Sequence, residues 1–371
     1  MKYFDYAATT PIDEEALRVY KEASLHFFGN SSSLHDCGTN ALFVVEQCKE
    51  TLGEILGVDA KGIYFTSGGT EGNVLSIISM ARGAKQRGMH IISSMAEHTS
   101  VHSALAFLEK EGFEITKIPF LKNGQIDLQQ LESSIRKDTI LITIQHVNSE
   151  IGTIQPIQDI AKMTENKGIL FHTDCVQSFG KLDLKTITPY VDSLTISSHK
   201  IYGPKGVGAV YIDPACKWEA VFPLLTHEDG FRGGTLNVPG IASFISAAEQ
   251  MAKTDNHLEM EWELRTLLKT AIGNEASFFE GDDRSQLPTI VGVALNQMEG
   301  QLVMLECNRH GFAISTGSAC QAKHEGETKA IQAMGYPIEV AKRFFRISFG
   351  KMTTKEEILT LGQLIKEIGQ S

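Results

Sequence analysis

Short apolar runs recur between residues 62 and 213, and their spacing limits the fold more than any other feature. They are GIYFTS (62–67), HIISS (90–94), TILITIQHV (139–147), GILFHTD (168–174), SLTIS (193–197) and GVGAVYID (206–213). Each is apolar along its length rather than alternating, the pattern of a strand buried on both faces. Helical patterns lie ahead of or between several of them: ALFVVEQCKETLGEIL (41–56), VHSALAFLEKEG (101–112) and PIQDIAKMTENKG (156–168). Strands alternating with helices predict an α/β fold built on a mostly parallel sheet.

Beyond about residue 250 the texture changes. A charged helical pattern covers 255–272, then come IVGVALN (290–296), a helical QLVMLECNRHG (301–311), GFAIST (311–316), RFFRISFG (343–350) and a closing helical KEEILTLGQLIKEI. This reads as a smaller α+β domain. The expected division is a large domain over 15–255, with 1–14 and 256–371 forming the small one. With 371 residues, 42% of them hydrophobic, the chain is long enough for both.

The net charge of -11 and the lack of a Lys/Arg block argue against a nucleic-acid partner. No apolar stretch reaches the length of a membrane span. The opening MKYFDYAATTPIDEEAL lacks a basic segment followed by an apolar run, so no signal peptide is expected. A cytoplasmic enzyme is the expectation. Cys37, Cys48, Cys175, Cys216, Cys307 and Cys320 show neither CxxC spacing nor regular pairing. In a reducing compartment most such cysteines are small buried hydrophobes.

Polar residues cluster just after the strands, where open α/β sheets bind ligands. The clusters are SGGTEGN (67–73), AEH (96–98), HVNSE (146–150), TDCVQS (173–178) and SSHK (197–200). SGGTEGN follows a strand and opens a helix. Its glycines allow a tight turn, and first-turn amides with Thr70 suit a phosphate; a plain strand–helix turn is the other reading. It is neither GxGxxG nor a P-loop, which weighs against a dinucleotide or ATP.

Asp174 ends an apolar strand, where an ionised carboxylate needs a cation or strong donors. A protonated pyridine nitrogen would serve, as would a helix cap or a structural salt bridge. Gln177, a turn onward, suits a ring oxygen. Lys200 lies between an apolar strand and a Gly/Pro-rich turn, a place where a lysine pKa falls and a Schiff base becomes accessible; Lys205 competes for that role. Ser197 and His199 flank Lys200 within reach of a phosphate. His98 can stack on an aromatic cofactor or move protons. With His102 a turn on it suggests a metal pair, but no third ligand has suitable spacing, so no metal is expected.

Taken together in order, YFDYAATTP (3–11), FGNSSSLH (28–35), FTSGGTEGN (65–73), VNSEIG (147–152), TDCVQSFGK (173–181) and SSHKIYGPKGVGAVYI (197–212) carry a family likeness. FRGGTLNVPG (231–240), STGSAC (315–320) and RISFGKMTT (346–354) continue it. The chain resembles the class-V aminotransferases, fold-type-I enzymes of pyridoxal 5'-phosphate, and within them the NifS/IscS-type cysteine desulfurases. The resemblance implies that Lys200 binds the cofactor covalently, that His98 stacks on its ring, and that Asp174 pairs with the ring nitrogen. It further implies that Gln177 contacts the ring oxygen and that Gly69, Thr70, Ser197 and His199 hold the phosphate. Thr235 would come from the other subunit of a homodimer. Asn148 and Arg346 fall on the substrate side with Asn30, and a planar arginine fork suits a carboxylate.

Cys320 separates the possible chemistries. Its polar, Gly-containing surroundings differ from the apolar periodic runs around Cys48 and Cys307, which read as core; Cys175 reads as packing. A surface loop suits a mobile nucleophile. The resemblance implies conversion of L-cysteine to L-alanine, with sulfur passing to Cys320 as a persulfide and then to a protein acceptor. QAKHEGETKA (321–330), Gly233 and Ser198 depart from commoner family residues, while the loop keeps the length of the NifS/IscS branch. An iron–sulfur scaffold is one acceptor. Quinolinate synthase is another, as in the Bacillus branch tied to NAD biosynthesis. Selenocysteine lyase or aminotransferase activity on the same cofactor is the rival reading.

Overall fold

A computed structural model describes residues 1–253, 257–316 and 328–370. Its centre is a seven-stranded sheet. In spatial order the strands are Ile63–Thr66, Gly208–Ile212, Ser193–Ser197, Leu170–Asp174, Thr139–Thr143, His90–Ser94 and Glu114–Ile118. The last five run parallel. Gly208–Ile212 is antiparallel to both its neighbours, so Ile63–Thr66 regains the common direction. The sheet is therefore mostly parallel, and the carboxyl ends of six strands open on one edge.

The inner strands are buried at every residue, apart from half-buried Leu170 at the start of Leu170–Asp174. Glu114–Ile118 was not expected from the sequence, because it sits at the edge, exposes Glu114 and Lys117, and lacks an apolar run. TILITIQHV keeps strand geometry only through Thr143, and GVGAVYID only over 208–212. Helix Asp36–Leu56 buries Ala41, Val45, Cys48, Leu52 and Leu56 along one stripe, and ends at Gly57 in the left-handed conformation, φ 71°.

The second sheet has three antiparallel strands, Ala276–Phe279, Ile290–Leu295 and Phe344–Ser348. Helices His257–Ile272, Gly300–Arg309 and Lys355–Gln370 contribute Leu264, Leu268, Val303, Leu361 and Ile365 to its core. A short parallel pair joins Lys2–Tyr3 to Phe312–Ala313, and GFAIST is a strand only there. Among the described residues no helix is long and apolar enough to cross a membrane.

Candidate active site

The strand that ends at Asp174 buries that carboxylate at the open edge of the large sheet. Asn73 Nδ2 donates to Oδ2 at 2.7 Å, and Val176 N donates to Oδ1 at 2.9 Å. No Lys, Arg or His forms an ion pair with it among the described residues. A buried carboxylate held by neutral donors alone is matched to a cation supplied from outside the chain.

Lys200 follows the adjacent strand Ser193–Ser197 on a single 3-10 turn. Its Nζ donates to the carbonyls of Ala7 at 2.5 Å and Ala8 at 2.8 Å. Burial, then the positive charges of Arg346 and Lys181, lower its pKa to about 7, while Asp5 and Asp174 oppose the fall. A free amine is thus available near neutrality. Its rival Lys205 lies exposed on the following turn.

Gln177 Nε2 donates to the same Ala7 carbonyl at 2.8 Å, and Lys181 Nζ donates to Gln177 Oε1 at 3.3 Å. One amide hydrogen of Gln177 is left for a neighbouring acceptor. His199 shares a 3.1 Å hydrogen bond with Thr9 Oγ1, and burial with the nearby lysines lowers its pKa to about 4.

An anion cradle sits beside this group. Helix Gly69–Ala84 has no side-chain cap on its first turn, and Gly68 takes φ 148°, a region that favours glycine. The Ser197 hydroxyl is buried without a hydrogen-bond partner among the described residues. A Cβ on Gly68 would lie 3.9 Å from it. An orphaned hydroxyl facing uncapped amides suits a phosphate. Thr70 is exposed at the same turn. With buried Asp174 and the Lys200 amine, this donor set fits pyridoxal phosphate: the turn and Ser197 for the phosphate, Asp174 for the ring nitrogen, Lys200 for the aldehyde.

His98 caps helix Thr99–Lys110, its Nδ1 accepting from Ser100 N at 3.1 Å with Ser100 Oγ at 2.7 Å. Burial lowers its pKa, against the pull of Asp174. Next to it, burial pushes Glu97 up to about 8, and its carboxyl meets Ser94 Oγ at 2.5 Å and Gln145 N at 3.0 and 3.1 Å. Asn148 is buried and spends Oδ1 on Glu150 N and Ile151 N. Arg346, on the second sheet, reaches across with Nη2 on Asp5 Oδ1 at 2.6 Å and Nη1 on the Ser149 carbonyl at 2.8 Å.

Two predicted residues face the surface. Asn30 is exposed and holds Ser32 N, and Thr235 is exposed on the 231–235 segment. Arg232 of that segment pairs with Glu71 at 2.9 Å, tying it to the helix of the anion cradle. Cys320 lies outside the described residues. Cys48, Cys175 and Cys307 are buried, and burial pushes each thiol up to about 12.

Sequence reasoning passed over Asp5, the Ala7 and Ala8 carbonyls, Asn73, Glu97, Ser100 and Lys181. Backbone carbonyls leave no side-chain signature. Asn73 lay within SGGTEGN, but its role depends on strands a hundred residues away.

A family model for aminotransferase class-V matches residues 2–361. The chain belongs to the class-V aminotransferase family. Its members depend on pyridoxal phosphate. Among class-V relatives, a NifS protein of Bacillus subtilis (strain 168) is 47% identical over 363 residues, spanning 96% of this chain and 92% of that one. The cysteine desulfurase IscS of Dictyoglomus turgidum is 38% identical over 362 residues, spanning 96% and 91%. A solved NifS-like protein superposes with a TM-score of 0.91 at 30% identity, covering 99% of this chain and 98% of that one. SspA, solved in complex with cysteine, gives 0.82 at 35% identity, covering 94% and 99%. The class-V aminotransferase fold thus accounts for the whole sheet architecture described above.

Proposed function

We propose that this enzyme is a cysteine desulfurase that converts L-cysteine to L-alanine through Cys320. One observation carries the reading: a half-buried lysine amine held on the Ala7 and Ala8 carbonyls, its pKa lowered to about 7, feels both the buried Asp174 carboxylate and the Arg346 guanidinium. That is a site for an amino-acid carboxylate beside an electrophilic cofactor. Relatives named cysteine desulfurase, and one solved with cysteine, favour cysteine as that amino acid.

Bound by Lys200, pyridoxal phosphate supplies an electron sink for the substrate Cα. Arg346 holds the substrate carboxylate, its fork oriented by Asp5 and Ser149. Lys200, its amine free once the substrate amine has taken its place, takes the Cα proton. The Cys320 thiolate attacks the substrate sulfur; an S–S bond forms, the Cβ–S bond breaks, and its electron pair stays on the carbon side. After Cβ gains a proton, alanine leaves and Cys320 carries the extra sulfur as a persulfide. A protein acceptor then takes that sulfur, an iron–sulfur scaffold or quinolinate synthase.

We read residues 15–255 as the cofactor domain and the functional unit as a cytoplasmic homodimer. Exposed Phe28, Leu34 and Phe43 border the Asn30 segment, and exposed Phe222 and Leu224 precede the Thr235 segment. Apolar surface of this kind suits a subunit contact.

The test incubates cofactor-loaded wild type and Cys320→Ala with L-cysteine and a reductant, measuring alanine and sulfide. Equal amounts from wild type, and loss of both in the variant while the cofactor's visible band persists, is the expected result. No alanine from the wild type would remove the assignment and favour selenocysteine lyase or aminotransferase chemistry.

A further inference from the structure

A buried chain of hydrogen bonds joins Asp174 to His98 through one amide, and elementary donor rules fix the direction of nearly every link. The backbone N–H of Ser100 can only donate, and it points at His98 Nδ1 at 3.1 Å. Nδ1 is therefore an acceptor, and a neutral His98 ring carries its proton on Nε2. Ser100 Oγ lies 2.7 Å from the same nitrogen and 3.0 Å from Asn73 Nδ2. It accepts from the amide and donates to the ring.

The orientation of Asn73 is equally constrained. Its Nδ2 lies 2.7 Å from Asp174 Oδ2, and turning the amide over would press two oxygens together there. Oδ1 then faces His172 Nε2 at 3.2 Å, so His172 donates, and its Nδ1 accepts from the Ser193 hydroxyl at 3.1 Å. Burial lowers the His172 pKa to about 3, keeping it neutral. Both Nδ2 hydrogens and Oδ1 of Asn73 are thereby used, in a side chain that is fully buried.

We propose that Asn73 is a positioning residue that locks the Asp174 carboxylate and, through the Ser100 hydroxyl, reinforces the Nε2–H form of His98 that the Ser100 backbone N–H sets. A ring in that form has no free lone pair to offer the substrate. Accepting a proton at Nδ1 would cost it the cap on helix Thr99–Lys110. The network therefore leaves Lys200 as the proton acceptor and gives His98 a donor's role. This rests on the cofactor-site reading above, but not on cysteine being the substrate.

The test uses holoenzyme labelled with ¹⁵N-histidine, the His98 signals identified by their loss in His98→Gln. In wild type, Nε2 should show directly bonded hydrogen and a pyrrole-type shift, and Nδ1 a pyridine-type shift. A proton on Nδ1 would overturn the proposal. In Asn73→Leu the dissociation constant for pyridoxal phosphate should rise by about tenfold or more, the scale of one hydrogen bond to a charged group. The His98 Nδ1 signal should move toward that of a more weakly bonded pyridine-type nitrogen, the tautomer itself being kept by the Ser100 N–H. Ser100→Ala cuts only the hydroxyl branch to His98: the same Nδ1 movement should appear while cofactor affinity stays within about twofold. Unchanged affinity and an unmoved Nδ1 signal in a folded Asn73→Leu protein would also overturn the proposal. If that variant does not fold, Ser100→Ala with an unmoved Nδ1 signal does so on its own. Both readouts are independent of cysteine turnover, so a failed desulfurase assay and a failed network are distinguishable.

Discussion

At the scale of single residues, the amine of Lys200 sets a pH dependence whose sign can be worked out. Its folded pKa is about 7, against about 10.4 for an unfolded lysine. Between those values the folded, cofactor-free chain binds fewer protons than the unfolded one, so this group's contribution to stability improves as pH rises across that window. The same amine must be neutral to capture the cofactor. Capture by the cofactor-free protein should accelerate as pH rises through about 7 and level off above it, followed by the growth of the visible band. Asp5 favours the ammonium form and also neutralises Arg346, which disfavours it. Asp5→Asn should therefore move the midpoint to lower pH. A midpoint that stays put or climbs would show that the two carbonyls of Ala7 and Ala8, rather than the surrounding charges, govern the amine.

At the scale of elements, the junction between helix Gly69–Ala84 and the end of strand Leu170–Asp174 is tight for a definable reason. A Cβ on Gly69 would come within 2.6 Å of Val176 Cγ2, a contact no real pair sustains, while Ser197 Cβ would be an ordinary 3.7 Å away. Gly69→Ala should weaken cofactor binding by pushing the anion turn off Ser197, and Val176→Ala should restore it. The expected coupling is about 1–2 kcal/mol in a double-mutant cycle on the cofactor dissociation constant; strict additivity would mean that the turn relaxes some other way. This junction also shows what was legible in the sequence. Inner strands such as HIISS and SLTIS could be read because burial on both faces leaves an unbroken apolar run. The polar clusters after them marked the site's edge for the same reason. Glu114–Ile118 was invisible because an edge strand needs no such run. Asp174 and Lys200 stood out as charges beside apolar strands. Asn73 did not, since an asparagine in a glycine-rich turn looks the same whether it caps a helix or bridges to a distant carboxylate. Cys320 lies outside the described residues, and its expected place on a loop rests on composition and family likeness alone.

At the scale of the whole molecule, the first ten residues bridge the two sheets at the site, beside the direct contact of Arg346 with the Ser149 carbonyl. Lys2–Tyr3 pairs with Phe312–Ala313, and Phe4 is buried in the core of the second sheet. Asp5 holds Arg346, and Ala7 N donates to Ser348 Oγ at 2.9 Å, both on the strand Phe344–Ser348. From there the segment crosses to the large sheet, offering Ala7 and Ala8 to Lys200, and Thr10 to the His199 carbonyl at 3.1 Å. The strands of the seven-stranded sheet all lie between Ile63 and Ile212, so the segment adds nothing to that sheet's pairing. Its contribution is to hold the substrate-side arginine and the cofactor-side lysine in one frame. A chain lacking residues 2–10 should therefore keep its α/β circular dichroism yet bind pyridoxal phosphate at least about tenfold more weakly, having lost the carbonyl that orients Gln177 and the ion pair on Arg346. Thermal unfolding with and without the cofactor checks this. Ligand present at a hundred times its dissociation constant stabilises the full chain by about 2.7 kcal/mol, and a tenfold weaker site loses about half of that. An equal cofactor-induced rise in melting temperature for both chains would mean that the site is organised by the large sheet alone, with the N-terminal segment a structural tie and nothing more.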